Sequence, residues 1–179
     1  MDQQPNISQL SASRIAEARQ CFADLGSLRL PGFLSAEAHA RLDALDTGKG
    51  WSRIRDEARD LELKPLDDAA FAEALARSLQ PFGFAPAAAP SLLRHNPGQF
   101  GTPPAPSEEA CFLIDLNPEW RSEWGGLALF VGEHGRAQGW RPQAGALLLY
   151  DAVRPLLLTM VSPGAPTPRL ALFGRLRPL

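Results

Sequence analysis

The pattern of apolar and polar positions divides the chain into two parts. Up to about residue 84, apolar residues recur every three or four positions, which predicts helices. Three helix starts are predicted by capping residues: Ser11 or Ser13, then Ser35, then Asp67 or Asp68. From about residue 91 onwards, short apolar runs alternate with Gly and Pro, a pattern that is typical of strands separated by turns.

Six such runs predict strands in the second part of the chain. They cover residues 91–95, 110–116, 126–131, 146–150, 156–161 and 170–176. Short strands that follow a helical part indicate an α+β domain whose strands form a sandwich or a double-sheet jelly roll. We therefore predict a single domain over residues 1–179, with a mainly helical part at about 1–84 and a jelly-roll part at about 91–177.

Composition and charge limit the chemistry of this domain. Three His and two Cys, widely spaced among 179 residues, exclude a zinc ribbon, an iron–sulfur site or another Cys-rich metal site. The net charge of -2 gives no electrostatic signal for nucleic acid. The longest apolar runs are strand-sized and the first residues lack the pattern of an export signal. We therefore expect no membrane association and a cytoplasmic protein with free thiols.

Five segments of the sequence follow one another in an order that is typical of a known family. They are residues 30–35 (Leu-Pro-Gly-Phe-Leu-Ser), 93–100 (with Asn-Pro-Gly-Gln-Phe), 116–130 (with Leu-Asn, Trp and Gly-Gly-x-Leu), 145–151 and 168–174. Together they resemble the prolyl 4-hydroxylase-like group of 2-oxoglutarate and Fe(II)-dependent dioxygenases, over roughly residues 28–177. The resemblance implies a double-stranded β-helix, which is a jelly roll, with N-terminal helices packed against it.

The resemblance also implies where iron would be held, by two histidines and one carboxylate that leave open positions for 2-oxoglutarate and oxygen. Aligned with the family, the His-x-Asp positions are Pro104 and Pro106, and the distal histidine position is Leu156. None of these side chains has an atom that binds a metal, and Leu157 and Leu158 supply no histidine in a shifted alignment. We therefore expect the iron-binding triad to be lost. The prolines also predict a loop or an edge in place of the iron-binding strand.

One part of the family's co-substrate site is matched in this sequence. The resemblance aligns Arg169 with the basic residue that binds the distal carboxylate of 2-oxoglutarate, and His95 with a position where the family commonly has a tyrosine near the co-substrate. A guanidinium suits a bidentate contact with a carboxylate. Arg169 and His95 are thus candidates for binding 2-oxoglutarate or a similar acid without metal. The alternative is that Arg169 pairs with an internal carboxylate such as Asp115 or Asp151.

These observations leave functions of different classes open. The first is a degenerate dioxygenase-fold protein without iron, acting as a non-catalytic binding or accessory module for a protein partner, a second copy or a small acid. The second is an active 2-oxoglutarate-dependent oxygenase with displaced ligands and Fe(II) as cofactor, or a metal-independent enzyme in the same pocket. A third is a scaffold whose pocket is filled by Leu156 and its neighbours.

Overall fold

Two antiparallel sheets face each other in this protein, and three helices cover the outer side of the larger sheet. The computed structural model describes residues 10–46, 48–103, 110–131, 137–151 and 156–179. The α+β jelly roll with N-terminal helices that the sequence predicts is confirmed. Within the described residues, no helix is long and apolar enough to cross a membrane.

Each helix begins directly after a side-chain cap. The helices are α1 (Ala12–Leu25), α2 (Ala36–Leu45) and α3 (Ala69–Leu79). Ser11, Ser35 and Asp68 each accept a hydrogen bond from the backbone N–H three residues further on, which satisfies a free donor of the first turn. For each helix, one of the capping residues predicted from the sequence is therefore confirmed.

Eleven strands are present among the described residues. They are β1 (Ser27–Leu30), β2 (Ser52–Arg55), β3 (Asp60–Pro65), β4 (Phe84–Pro86), β5 (Ser91–His95), β6 (Ala110–Asp115), β7 (Ala128–Val131), β8 (Ala137–Trp140), β9 (Leu147–Asp151), β10 (Leu156–Leu158) and β11 (Arg169–Pro178). The larger sheet has the order β1-β9-β6-β11-β5-β3-β2, with β4 also paired to β11, and the smaller sheet has the order β10-β7-β8.

Three of these strands, β1 to β3, lie in the part of the chain where the spacing predicts mainly helices, and β4 begins at its end. The hairpin of β2 and β3 is the clearest case, because its sequence reads as a charged surface. Arg53 and Asp60 form an ion pair diagonally across the hairpin, with Nη2 2.6 Å from Oδ2. Leu61 is fully buried between the sheets, and Ile54 and Leu63 pack against the same core. The hairpin therefore extends the larger sheet with its apolar side chains inward and charged side chains outward.

The larger sheet has an apolar core on each side. Its outer face packs against α1, α2 and α3 through side chains such as Leu42, Phe71 and Phe112. Its inner face packs against the smaller sheet. Because side chains alternate along each strand, every inward position of β5, β6 and β11 points into the space between the sheets. Leu156, where the resemblance places the distal histidine, lies in that space.

Candidate functional site

Most of the space between the two sheets is filled by apolar side chains. The cluster comprises Leu61, Leu93, Cys111, Leu113, Ala128, Phe130, Leu148, Tyr150, Leu156, Leu158, Ala171 and Phe173, all buried. Leu156 is directly opposite Phe130 in the register of β10 and β7, and it is 5% exposed. The Phe130 ring in turn meets the rings of Trp140 and Tyr150 at centroid distances of 5.1 and 6.1 Å. The position predicted for the distal histidine thus belongs to a packed apolar core.

A group of polar side chains lies at one end of this interior. Arg169 begins β11 and is paired in register with His95, the last residue of β5, while Asp115 ends the neighbouring β6. The Arg169 side chain is 1% exposed, and its Nη2 donates to Oδ1 of Asp115 at 2.7 Å. The structure therefore brings Arg169 and His95 together as the resemblance implies. It also shows Arg169 paired with Asp115, which the sequence offers, together with Asp151, as an internal partner of this arginine.

Gly126 allows the chain to pass closely over the Arg169 side chain. A Cβ on this residue would lie 3.0 Å from Cδ of Arg169 and 3.3 Å from Cγ2 of Val161, and its φ of 62° is in the left-handed region. Trp120 packs beside the same point and donates from its ring nitrogen to the carbonyl of Gly125 at 2.9 Å. A glycine here lets the loop enclose the guanidinium.

His95 is neutral in this setting. Burial, and next the positive charge of Arg169, lower the pKa of the imidazole from 6.5 to about 4. Its Nε2 lies 2.8 Å from the carbonyl oxygen of Gly101, which can only accept, so Nε2 carries the proton and donates. His95 therefore holds the chain at Gly101 against the end of β5.

The low pKa of His95 predicts that the fold is weakened by acid. The unfolded chain binds a proton at this side chain more readily than the folded one between pH 6.5 and about 4. The stabilisation is complete above pH 6.5 and is lost as pH falls towards 4, roughly 3 kcal/mol in total. Urea unfolding at pH 7 and pH 4.5 measures it, with His95→Gln as the control that keeps an N–H donor. If the wild type and this variant lose stability equally on acidification, the prediction is wrong.

The described residues do not fit an Fe(II) site. Leu156 offers no donor atom, and Pro104 and Pro106 lie outside the described residues. Across the described ranges, no group of three or more His, Cys, Asp or Glu side chains is arranged to hold a metal ion. His95 already donates to a carbonyl and lies beside the positive charge of Arg169, which opposes a cation. The described side chains therefore offer no set of donors for Fe(II).

The segment that leads to Pro104 lies along β10. The N–H of Gly98 donates to the carbonyl of Val161, the N–H of Val161 to the carbonyl of Gln99, and the N–H of Gly101 to the carbonyl of Leu158, at 2.8, 2.9 and 2.9 Å. These bonds follow the edge of the smaller sheet without forming a regular strand. The loop or edge strand predicted at Pro104 and Pro106 lies outside the described residues.

A cleft of about 590 Å³ opens on the outer side of the same edge. Leu156 and Leu158 point inward, so Leu157 between them points outward, where it is 51% exposed. Met160 is 50% exposed and lines the cleft as well. The charged residue among its lining side chains is Arg59, whose Nε already contacts Oδ2 of Asp56 at 2.6 Å. Over the described residues, the lining of the cleft is thus predominantly apolar, and its charged side chain is paired.

Comparison with known proteins identifies the fold. No protein-family model and no curated protein matches the sequence. Among solved structures, a prolyl-4-hydroxylase from Pseudomonas putida matches with a TM-score of 0.75 and 17% identity, over 92% of this chain and 99% of that chain. The chain has the fold of the 2-oxoglutarate and Fe(II) oxygenases. At such identity the likeness concerns the fold alone.

Two further solved structures with the 2-oxoglutarate oxygenase fold match to a similar degree. A 2-oxoglutarate–Fe(II) oxygenase family oxidoreductase from Burkholderia pseudomallei has a TM-score of 0.72 and 14% identity, over 95% of this chain and 92% of its own. A prolyl hydroxylase from Trichoplax adhaerens, in complex with a hypoxia inducible factor oxygen degradation domain peptide fragment, has a TM-score of 0.73 and 13% identity, over 92% and 89%. The architecture implied by the sequence resemblance is therefore confirmed.

No sequence pattern identifies the residues that hold the pair of Arg169 and Asp115 in place. Gly126 stands out only as part of a Gly-Gly motif, and Gln143, whose backbone N–H donates to Oδ2 of Asp115 at 3.2 Å, belongs to no motif. A signal for Asp115 was available, because it is the charged residue of an otherwise apolar strand. A charge in such a strand indicates a buried partner.

Proposed function

We propose that this protein is a degenerate member of the 2-oxoglutarate oxygenase fold, which binds no iron and acts as a non-catalytic binding module. The observation that carries the proposal is the burial of Leu156 against Phe130, at the position where the resemblance places the distal histidine. An iron site needs polar donors and open coordination positions. A packed apolar core offers neither, so the interior serves as the support of the fold.

Anaerobic absorption spectroscopy tests this proposal. In an active oxygenase, Fe(II) and 2-oxoglutarate together give a visible charge-transfer band. We expect no band from this protein at any ratio of Fe(II) and 2-oxoglutarate, whereas the Pseudomonas putida prolyl-4-hydroxylase, prepared in the same way, serves as the positive control. A band that saturates at one equivalent of Fe(II) would show an active oxygenase with displaced ligands and overturn the proposal.

For the binding role, we propose a protein partner that places a short uncharged aliphatic segment in the cleft beside β10. Leu157 and Met160 expose apolar surface there, and the Arg59 guanidinium is already paired with Asp56. A predominantly apolar lining disfavours a charged segment, because that segment would lose its hydration, and it matches an aliphatic one. The Trichoplax hydroxylase, which has the same fold, was solved with a peptide fragment, and this supports a peptide as the occupant.

Leu157→Lys is expected to weaken binding of an uncharged apolar probe about tenfold, because the ammonium group would enter an apolar cleft. The fluorescence of Nile red, titrated with protein, measures this binding. Leu25→Lys is the matched control, since Leu25 is 52% exposed and lies on α1, away from the lining residues. Equal probe binding by both variants would contradict the assignment of the cleft.

A further inference from the structure

The ion pair of Arg169 and Asp115 is almost completely removed from solvent. The two side chains are 1% and 10% exposed. A buried guanidinium needs a nearby negative charge, and Asp115 provides it. The neighbouring His95 carries no charge at neutral pH, so the group of three side chains is neutral as a whole.

Asp115 is held in place by the backbone around it. Its N–H donates to the carbonyl of Ala146 at 3.1 Å, and its carbonyl accepts from the N–H of Gly145 at 2.8 Å. The second carboxylate oxygen, Oδ2, accepts from the N–H of Gln143 at 3.2 Å. With these three contacts fixed, Oδ1 points at Nη2 of Arg169. The carboxylate is therefore positioned in advance of any ligand.

Asp115 satisfies only one nitrogen of the guanidinium. Nε and Nη1 of Arg169 are buried and have no hydrogen-bond partner among the described residues. A carboxylate that was free to move would accept from two adjacent nitrogens at once, which is the stronger geometry. The observed contact is thus the one that a carboxylate fixed to β6 can make.

We infer that Asp115 acts as an internal ligand of Arg169 and closes this position to free carboxylic acids. An acid entering the wild-type site would place a second negative charge beside Asp115. The single positive charge of Arg169 would then face two carboxylates, which repel each other. The inference goes beyond the absence of iron, because it concerns the acid-binding role that the resemblance implies for Arg169 and His95. The two proposals can be tested separately. If the protein binds an acid without iron, this inference is wrong, whereas the proposed loss of iron is unaffected.

Rescue of Asp115→Ala by formate tests the inference. Removing the carboxylate leaves Arg169 unpaired beside a space of the size of formate, so formate is expected to raise the melting temperature by about 3 °C at saturation. Sodium chloride at equal ionic strength should not. Asp68→Ala is the matched control, because it removes the partner of Arg41, whose side chain is 38% exposed and solvated by water. Formate should not rescue that variant.

The wild-type protein provides the decisive comparison if Asp115→Ala does not fold. Formate and 2-oxoglutarate are each expected to leave its melting temperature unchanged relative to chloride. Asp115→Asn should also resist rescue, because its amide fills the position of the carboxylate. A saturable shift of the wild type with either acid would overturn the inference. So would a folded Asp115→Ala variant that formate does not stabilise.

Discussion

Replacing Arg169 by Met is expected to lower the free energy of unfolding by about 3–5 kcal/mol, because it leaves the Asp115 carboxylate buried without its cation. The guanidinium is 1% exposed, so water does not compensate for its loss. Urea unfolding of the wild type and the variant at pH 7 measures the difference. Arg41→Met is the control: its guanidinium pairs with Asp68 but is 38% exposed, and a loss of about 0–1 kcal/mol is expected.

A double-mutant cycle separates the ion pair from simple packing. When Asp115→Leu accompanies Arg169→Met, the buried charge is gone and the double variant should be more stable than Arg169→Met alone. If Arg169→Met costs no more than Arg41→Met, the pair is not the buried unit that we describe. If the double variant is the least stable, the two side chains contribute through packing rather than through their charges.

Leu156→Ala is expected to lower the free energy of unfolding by about 2–5 kcal/mol, because it opens a cavity between the two sheets. The side chain is 5% exposed and contacts a cluster that spans both sheets. Leu157→Ala is the control in the adjacent position, since this side chain is 51% exposed and its removal should cost about 0.5 kcal/mol or less. Urea unfolding at one pH compares the two variants directly.

Equal and small losses for the two leucine variants would contradict the filled interior. In that case the space beside Leu156 would behave as an open pocket, in which a shorter side chain exposes only water. A loss confined to Leu156→Ala would instead show that the position of the expected distal histidine supports the fold.

The sequence predicts the jelly roll and its helices because these depend on local patterns. Capping residues and apolar runs can be recognised in the sequence itself. They include the caps at Ser11, Ser35 and Asp68 and the apolar runs of β5, β6 and β9. The hairpin of β2 and β3 is not predicted, because its charged residues resemble a solvated loop. Its strands form because β2 pairs with β3 and β3 pairs with β5, about 30 residues further along the chain.

The candidate site follows from the sequence only in part. The resemblance brings Arg169 and His95 to one place, since the fold fixes which strands are neighbours. Whether Arg169 forms an open acid-binding site or an internal ion pair is not determined by the local sequence. It depends on how Asp115 is oriented by Gln143 and Gly145, residues about 30 positions further along the chain. The charge of Asp115 in an apolar strand indicates a buried partner, but the long-range positioning of its carboxylate leaves no pattern that spacing or composition can reveal.

The central claim is that the interior of this oxygenase fold holds no metal. Binding of Mn(II), which replaces Fe(II) without redox chemistry, tests it most directly through the electron paramagnetic resonance signal of free Mn(II). We expect that signal to stay at full intensity when protein is added in excess, both with and without 2-oxoglutarate. Stoichiometric loss of the signal, strengthened by 2-oxoglutarate and abolished by Arg169→Met, would contradict the account.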